Sequence, residues 1–260
     1  MPKMPTLHVV KIGGNVIDNP SALASFLQDF ALLDGPKLLV HGGGKIATQM
    51  AASMGIESKM IEGRRVTDEE SLRIVTMVYA GWINKSIVAE LQGLSCNALG
   101  LTGPDGGIVL SKKRAAEPID YGFVGDIVSV NAAALSGLIS AGFSPIFAPI
   151  TADVSGQLLN TNADTMAQAL AIALSTSYQV TLTYCFEKKG VLLDPEDDES
   201  VISSINPASF QELKDKGIVS AGMIPKLENA LKAISAGVSL VRLCHAENLQ
   251  KTNIGTKISA

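Results

Sequence analysis

Short apolar runs that end in glycine and give way to segments of helical period recur along this chain, and that alternation decides its fold class. His8 to Ile12 runs into Gly13-Gly14, and Leu38 to Val40 into His41-Gly42-Gly43-Gly44. Between them, Asn19-Pro20 has the form of a helix cap with proline at the first helical position. Leu23, Phe26, Leu27, Phe30 and Leu33 follow on one helical face. A helix is expected over 45–55. Thr67 and Glu70 have capping-box spacing and open a long helix to about Gly93. Its apolar stripe is Leu72, Val75, Tyr79, Trp82, Ile83, Ile87 and Leu91. Strands are expected over 96–101, 123–130, 145–150, 179–185 and 238–243. Helices are expected after the cap Asn131, over 163–175 and 207–216, and from about Met223. Repeated β-α alternation predicts an α/β fold, a three-layer αβα sandwich around an open, mainly parallel sheet. There is no internal repeat or low-complexity linker, and a soft boundary near Thr176 divides 1–176 from 177–260.

Composition narrows the partners. Of 260 residues, 47% are hydrophobic and 18% charged, enough apolar mass for a packed core. A net charge of -4 argues against broad nucleic-acid binding, which draws on excess lysine and arginine. Cys96, Cys185 and Cys244 are far apart, without a CxxC pair or a Cys/His cluster, so buried free thiols are expected rather than zinc or disulfides. The uncharged stretch 131–151 has the length of a membrane span, but Gly142, Pro145 and Pro149 divide it into helix, turn and buried strand. The N-terminus has no signal-peptide pattern, so a cytoplasmic protein without membrane contact is expected.

In open α/β sheets, ligands bind beyond the carboxyl ends of the strands. Both glycine exits fall there, and glycine lets backbone N–H groups approach an anion closely. Two such loops on neighbouring strands point to a polyanion more than to two tight turns. Neither is a Walker A loop, because Gly44-Lys45 is followed by Ile46. Lys11, near the end of a buried strand, is expected to reach out toward an anion, although a snorkelling lysine would look the same. Lys226 sits where a helix begins and opposes its dipole. Asp164 follows Asn160-Thr161-Asn162-Ala163 at a strand-to-helix join, where Asn162 or Asp164 could cap the helix or Asp164 could hold lysines. Arg64 and Arg65 precede the capping box, as a carboxylate fork or a solvated basic turn. Lys112-Lys113-Arg114 and the acidic stretch 194–199 read as solvated loops. The three histidines have no triad-like context.

Taken in order, Lys11-Ile-Gly-Gly14, His41-Gly-Gly-Gly44, Gly63-Arg-Arg-Val-Thr67, Asn160-Thr-Asn-Ala-Asp164 and Gly222-Met-Ile-Pro-Lys226 resemble the amino acid kinase family across nearly the whole chain. The resemblance implies a kinase that moves the γ-phosphoryl group of ATP, with Mg²⁺, onto the γ-carboxylate of an N-acyl-L-glutamate. It implies Lys11 and Lys226 as the transition-state cations and Asp164 as their organiser. It implies that Gly43 and Gly44 offer N–H groups to the acceptor, while Arg65 and Asn160 hold the α-carboxylate and acylamino group. Gly13 and Gly14 would face the ATP phosphates, and Glu187, Gly190, Val219 and Ser220 the nucleotide. Glu187 stands where the family usually has aspartate. Residues 1–176 would bind the acylglutamate and carry the dimer interface on the long helix, and 177–260 would bind nucleotide. A homodimer without arginine feedback is implied, since hexameric forms carry an extra N-terminal helix and this chain enters its first strand by about His8. Acetyl and succinyl groups both leave the reacting end of the acid unchanged, so the resemblance implies either. Another acid, or a non-catalytic metabolite-binding regulator of the same fold, remains open.

Overall fold

The computed structural model describes residues 4–61, 64–194, 196–219 and 223–260. In chain order the strands are β1 (Thr6–Ile12), β2 (Lys37–His41), β3 (Met60–Ile61), β4 (Arg64–Arg65), β5 (Ala98–Leu101), β6 (Val109–Lys113), β7 (Gly125–Val130), β8 (Ser144–Phe147), β9 (Ile150–Ala152), β10 (Leu158–Asn160), β11 (Gln179–Phe186), β12 (Ser204–Ile205), β13 (Leu240–His245) and β14 (Thr256–Ile258). The α-helices are α1 (Gly14–Ile17), α2 (Pro20–Ala31), α3 (Gly44–Ser53), α4 (Glu69–Val75), α5 (Asn84–Gly93), α6 (Ala132–Ser140), α7 (Ala163–Leu174), α8 (Pro207–Asp215) and α9 (Ile224–Ser235). A π-helical stretch, Thr76–Ile83, joins α4 to α5.

The main sheet has eight strands in the order β12-β14-β13-β11-β1-β2-β8-β5. It is parallel from β13 to β5, and β14 runs antiparallel to β13. Side chains along β1 alternate between two cores, as a strand covered on both faces requires. Leu7 and Val9 join the core built with α6, α7, α8 and α9, while Val10 and Ile12 join the core built with α2, α3 and the long helix. Phe26, Leu27 and Phe30 of α2 are fully buried, each contributing roughly 2–3 kcal/mol of apolar burial. The expected three-layer α/β architecture is the one observed, and the sheet runs unbroken past residue 176 through the β1–β11 pairing.

Three expectations need correction. Asp68, not Thr67, caps α4, accepting from the Ser71 N–H at 2.8 Å. Thr67 is fully buried and bridges the Arg65 carbonyl to the Asn160 side chain. Trp82 leaves the apolar stripe and is 69% exposed, because the π turns rotate it outward. The strand expected over 145–150 breaks after Phe147, and Ile150–Ala152 joins a second sheet of order β10-β9-β6-β7. No helix among the described residues is long and apolar enough to cross a membrane. Stretch 131–151 is helix, turn and strand, as its glycine and prolines indicate.

Candidate active site

β1, β2, β8 and β11 are parallel neighbours, so their carboxyl ends open on one edge of the sheet. Lys11 shares the β1 face of Leu7 and Val9, the side on which α7 and α9 pack. Asn162 caps α7 by accepting from the Thr165 N–H at 3.0 Å, which leaves Asp164 in the first turn free for another partner. That partner is Lys11, whose Nζ lies 2.7 Å from Asp164 Oδ1. Burial alone would raise the Asp164 carboxyl, but the charges of Lys11 and then Lys226 outweigh it and hold the group below the usual carboxylate range. Lys226 lies in the first turn of α9, with Nζ 5.4 Å from the Phe186 ring centroid. A cation at a helix N-terminus is placed against the dipole, and the Asp164 carboxylate, whose pKa feels the charge of Lys226, partly offsets that placement.

A cavity of about 830 Å³ spreads over this edge, lined by Gly42, Gly43 and Gly44 of the second loop and by Arg65, Asn160, Asp164 and Lys226 among others. Gly43 adopts φ +145, and a Cβ there would overlap Ile83 Cδ1, so any other residue would be strained and crowded. α3 starts at Gly44 without a side-chain cap, leaving its first N–H groups free toward the cavity. Gly13 behaves differently from expectation. Its N–H donates to the Cys185 carbonyl at 3.2 Å, extending the β1–β11 pairing, so it is not available to phosphate. Gly14 opens α1, also uncapped by a side chain.

Arg65 is only 8% exposed and already busy. It donates to Ser58 Oγ at 2.6 Å, to the Gly44 carbonyl at 2.9 Å and to Thr48 Oγ1 at 2.7 Å. It therefore ties the second glycine loop to the start of α3 while lining the cavity. Asn160 donates to Thr67 Oγ1 at 3.0 Å beside it. Sequence reasoning missed two lining side chains. Arg114 is not a solvated loop residue: it pairs with Asp126, Nη2 to Oδ1 at 2.5 Å, and faces the cavity. Tyr79 brings a buried phenol to the Gly43–Gly44 turn, its hydroxyl raised by burial. Its place in the apolar stripe disguised it. Lys45 reaches over the first loop to Asn15 Oδ1 at 2.5 Å.

A smaller cavity of about 150 Å³ lies beyond β11, lined by Lys188, Gly190, Val191, Leu192, Ile218, Val219 and Met223. Gly190 and Val219 are therefore brought together, while Glu187 is exposed and lines neither cavity. Ser220, like Gly63 and Gly222 of the quoted motifs, lies outside the described residues. Lys188 and Lys189 pair with Asp198 and Glu199, folding the acidic loop back on the strand exit. Among the described residues no group of three His, Cys, Asp or Glu side chains is placed to hold a metal.

The Amino acid kinase family model matches residues 6–245. Acetylglutamate kinase of Cytophaga hutchinsonii is 55% identical over 263 residues, covering 99% of this chain and 100% of that protein. Acetylglutamate kinase of Bacteroides fragilis is 53% identical over 252 residues, covering 97% and 96%. A solved Streptococcus mutans protein superposes with a TM-score of 0.77 at 27% identity, covering 98% of each chain.

Proposed function

This chain belongs to the amino acid kinase family, and from that premise we propose that it transfers the γ-phosphoryl group of MgATP to the γ-carboxylate of N-acetyl-L-glutamate. The observation that carries the reading is the Lys11–Asp164 pair at 2.7 Å, with Lys226 coupled to the same carboxylate, at the edge where both glycine loops open. A γ-carboxylate with pKa ~4.3 is already ionised at neutral pH, so the acceptor needs no general base. A carboxylate oxygen attacks the γ-phosphorus, the new O–P bond forms, and the bond to the bridging oxygen breaks with its electron pair leaving on ADP. The residues' work is to position and to neutralise charge. Lys11 and Lys226 face the charge on the phosphoryl oxygens, Asp164 keeps both ammonium groups in place, and Gly43 and Gly44 N–H groups hold the acceptor. Arg65 and Asn160 take the α-carboxylate and acylamino group. The cavity beyond β11 suits the apolar part of a nucleotide, with Gly190 and Val219 at its wall. Mg²⁺ would arrive on the ATP phosphates and supply further charge neutralisation there.

We also infer a homodimer through the outer face of the long helix, where Met77 and Trp82 are 49% and 69% exposed. Sedimentation at the mass of one chain would refute it. The reaction itself is tested by incubating the protein with MgATP, hydroxylamine and either N-acetyl- or N-succinyl-L-glutamate. Hydroxamate with the acetyl acid is expected. Folded protein that yields none with either acid would refute the proposal.

A further inference from the structure

His41 and Asn84, which the mechanism above does not use, form a buried polar chain with the glycine loop. His41 is fully buried at the end of β2, and Asn84 is 1% exposed at the start of α5. The imidazole Nδ1 lies 2.9 Å from the Gly42 carbonyl, and Nε2 lies 3.1 Å from Asn84 Nδ2. Asn84 Nδ2 also donates to the Ile146 carbonyl at 2.9 Å, and its Oδ1 accepts from Lys85 Nζ at 3.0 Å. Carbonyls only accept and ammonium groups only donate, so every polarity in the chain follows. Nδ1 carries the proton, Nε2 is the acceptor, and the Asn84 amide has one orientation.

We propose that His41 and Asn84 are positioning residues that aim the Gly43 N–H at the phosphoryl acceptor, a role that rests on the kinase reading. In a trans peptide the C=O and N–H of one plane point in opposite directions. With the Gly42 carbonyl turned back to His41, the Gly43 N–H of the same plane turns outward, where it has no acceptor among the described residues. The loop is held from a second side as well. Ile83 Cδ1 occupies the space where a Cβ on Gly43 would stand, and Ile83 directly precedes Asn84. One helical junction thus fixes the loop's plane through Asn84 and its depth through Ile83. A buried imidazole–amide pair is a poor way to fill a core, since apolar side chains of that size need no partners. Aiming a peptide gives the pair a reason to be there.

The test compares His41→Asn with His41→Gln in the hydroxamate assay. Asparagine places its amide nitrogen where Nδ1 was and keeps the bond to Gly42; glutamine places its nitrogen where Nε2 was and loses it. His41→Asn is expected to exceed His41→Gln in kcat by tenfold or more, with KM for MgATP within about twofold in both, since a misdirected donor loses transition-state stabilisation. Equal kcat in the two folded variants, or kcat that merely follows thermal stability, would overturn the inference. If His41→Gln does not fold, the wild-type protein decides the matter: long-range ¹H–¹⁵N correlation should show His41 protonated at Nδ1, and an Nε2–H tautomer would overturn the proposal. Wild-type protein inactive with every acid tried would instead remove the kinase reading, and this inference with it.

Discussion

Arg65 lines the larger cavity while holding its own scaffold. Its guanidinium donates to Ser58, Thr48 and the Gly44 carbonyl, so removing it both frees the glycine loop and takes a cation from the cavity. Arg65→Ala is expected to raise KM for the acylglutamate at least tenfold and also to lower kcat, because the acceptor loop loses its tether. Steady-state kinetics checks this, and an unchanged KM would refute the carboxylate role. His41 carries a second residue-scale consequence. Burial, opposed by the Gly42 carbonyl and assisted by the charge of Lys85, lowers its pKa from 6.5 to about 4. Between those values the unfolded chain binds a proton that the native protein does not. Stability is therefore lost as pH falls from about 6.5 to about 4, by about 3 kcal/mol in all. Denaturant titrations across that range should show the slope in the wild type and a reduced slope in His41→Asn.

The element that most shapes the site is the long helix with its π turns. Val75, Tyr79, Ile83, Ile87 and Leu91 are all buried, and each follows the last by four residues. In a straight α-helix, steps of four drift about 40° each, so five such residues could not share a face. Wider turns keep them together, and that spacing was a signal in the sequence for the π stretch. The α-helical reading placed Trp82 inside instead. Gly43→Ala is expected to reduce kcat by about a hundredfold, from overlap with Ile83 and from the φ of +145. Adding Ile83→Ala should recover only part of it, because the backbone strain remains. Full recovery would mean that overlap alone matters. At this scale the strands and helices with clear periodicity were legible, as were Asn19 and Asn131 as caps, while of the two candidates Asn162 and Asp164 the fold uses Asn162. The cap at Asp68 was not, because Thr67 also fits a capping box and only the tertiary fold draws Thr67 toward Asn160. The short strands β3, β4, β9 and β10 have two or three residues each, too few to show a period.

At the scale of the molecule, sequence order and spatial order diverge, and that divergence separates what could be read from what could not. Lys11, Asp164 and Lys226 are far apart in the chain, yet β1, α7 and α9 pack on one face and bring their ends together. They were legible because each sits at a strand end or a helix start with an unexplained charge. The place of Arg114 at the cavity was not, because it depends on a second sheet whose strands pair across the chain, β6 with β9 and β7. Cys185 and Cys244 are far apart in sequence, yet stand opposite on β11 and β13 with their sulfurs 4.0 Å apart. In the proposed reaction the whole arrangement serves one bond-forming step, from a carboxylate oxygen to phosphorus. The direct test is ³¹P NMR of the product formed from MgATP and N-acetyl-L-glutamate labelled with ¹⁸O in the γ-carboxylate. An acyl-phosphate resonance carrying the isotope shift of a bridging ¹⁸O is predicted; ADP formed without such a species, in folded protein, would contradict it.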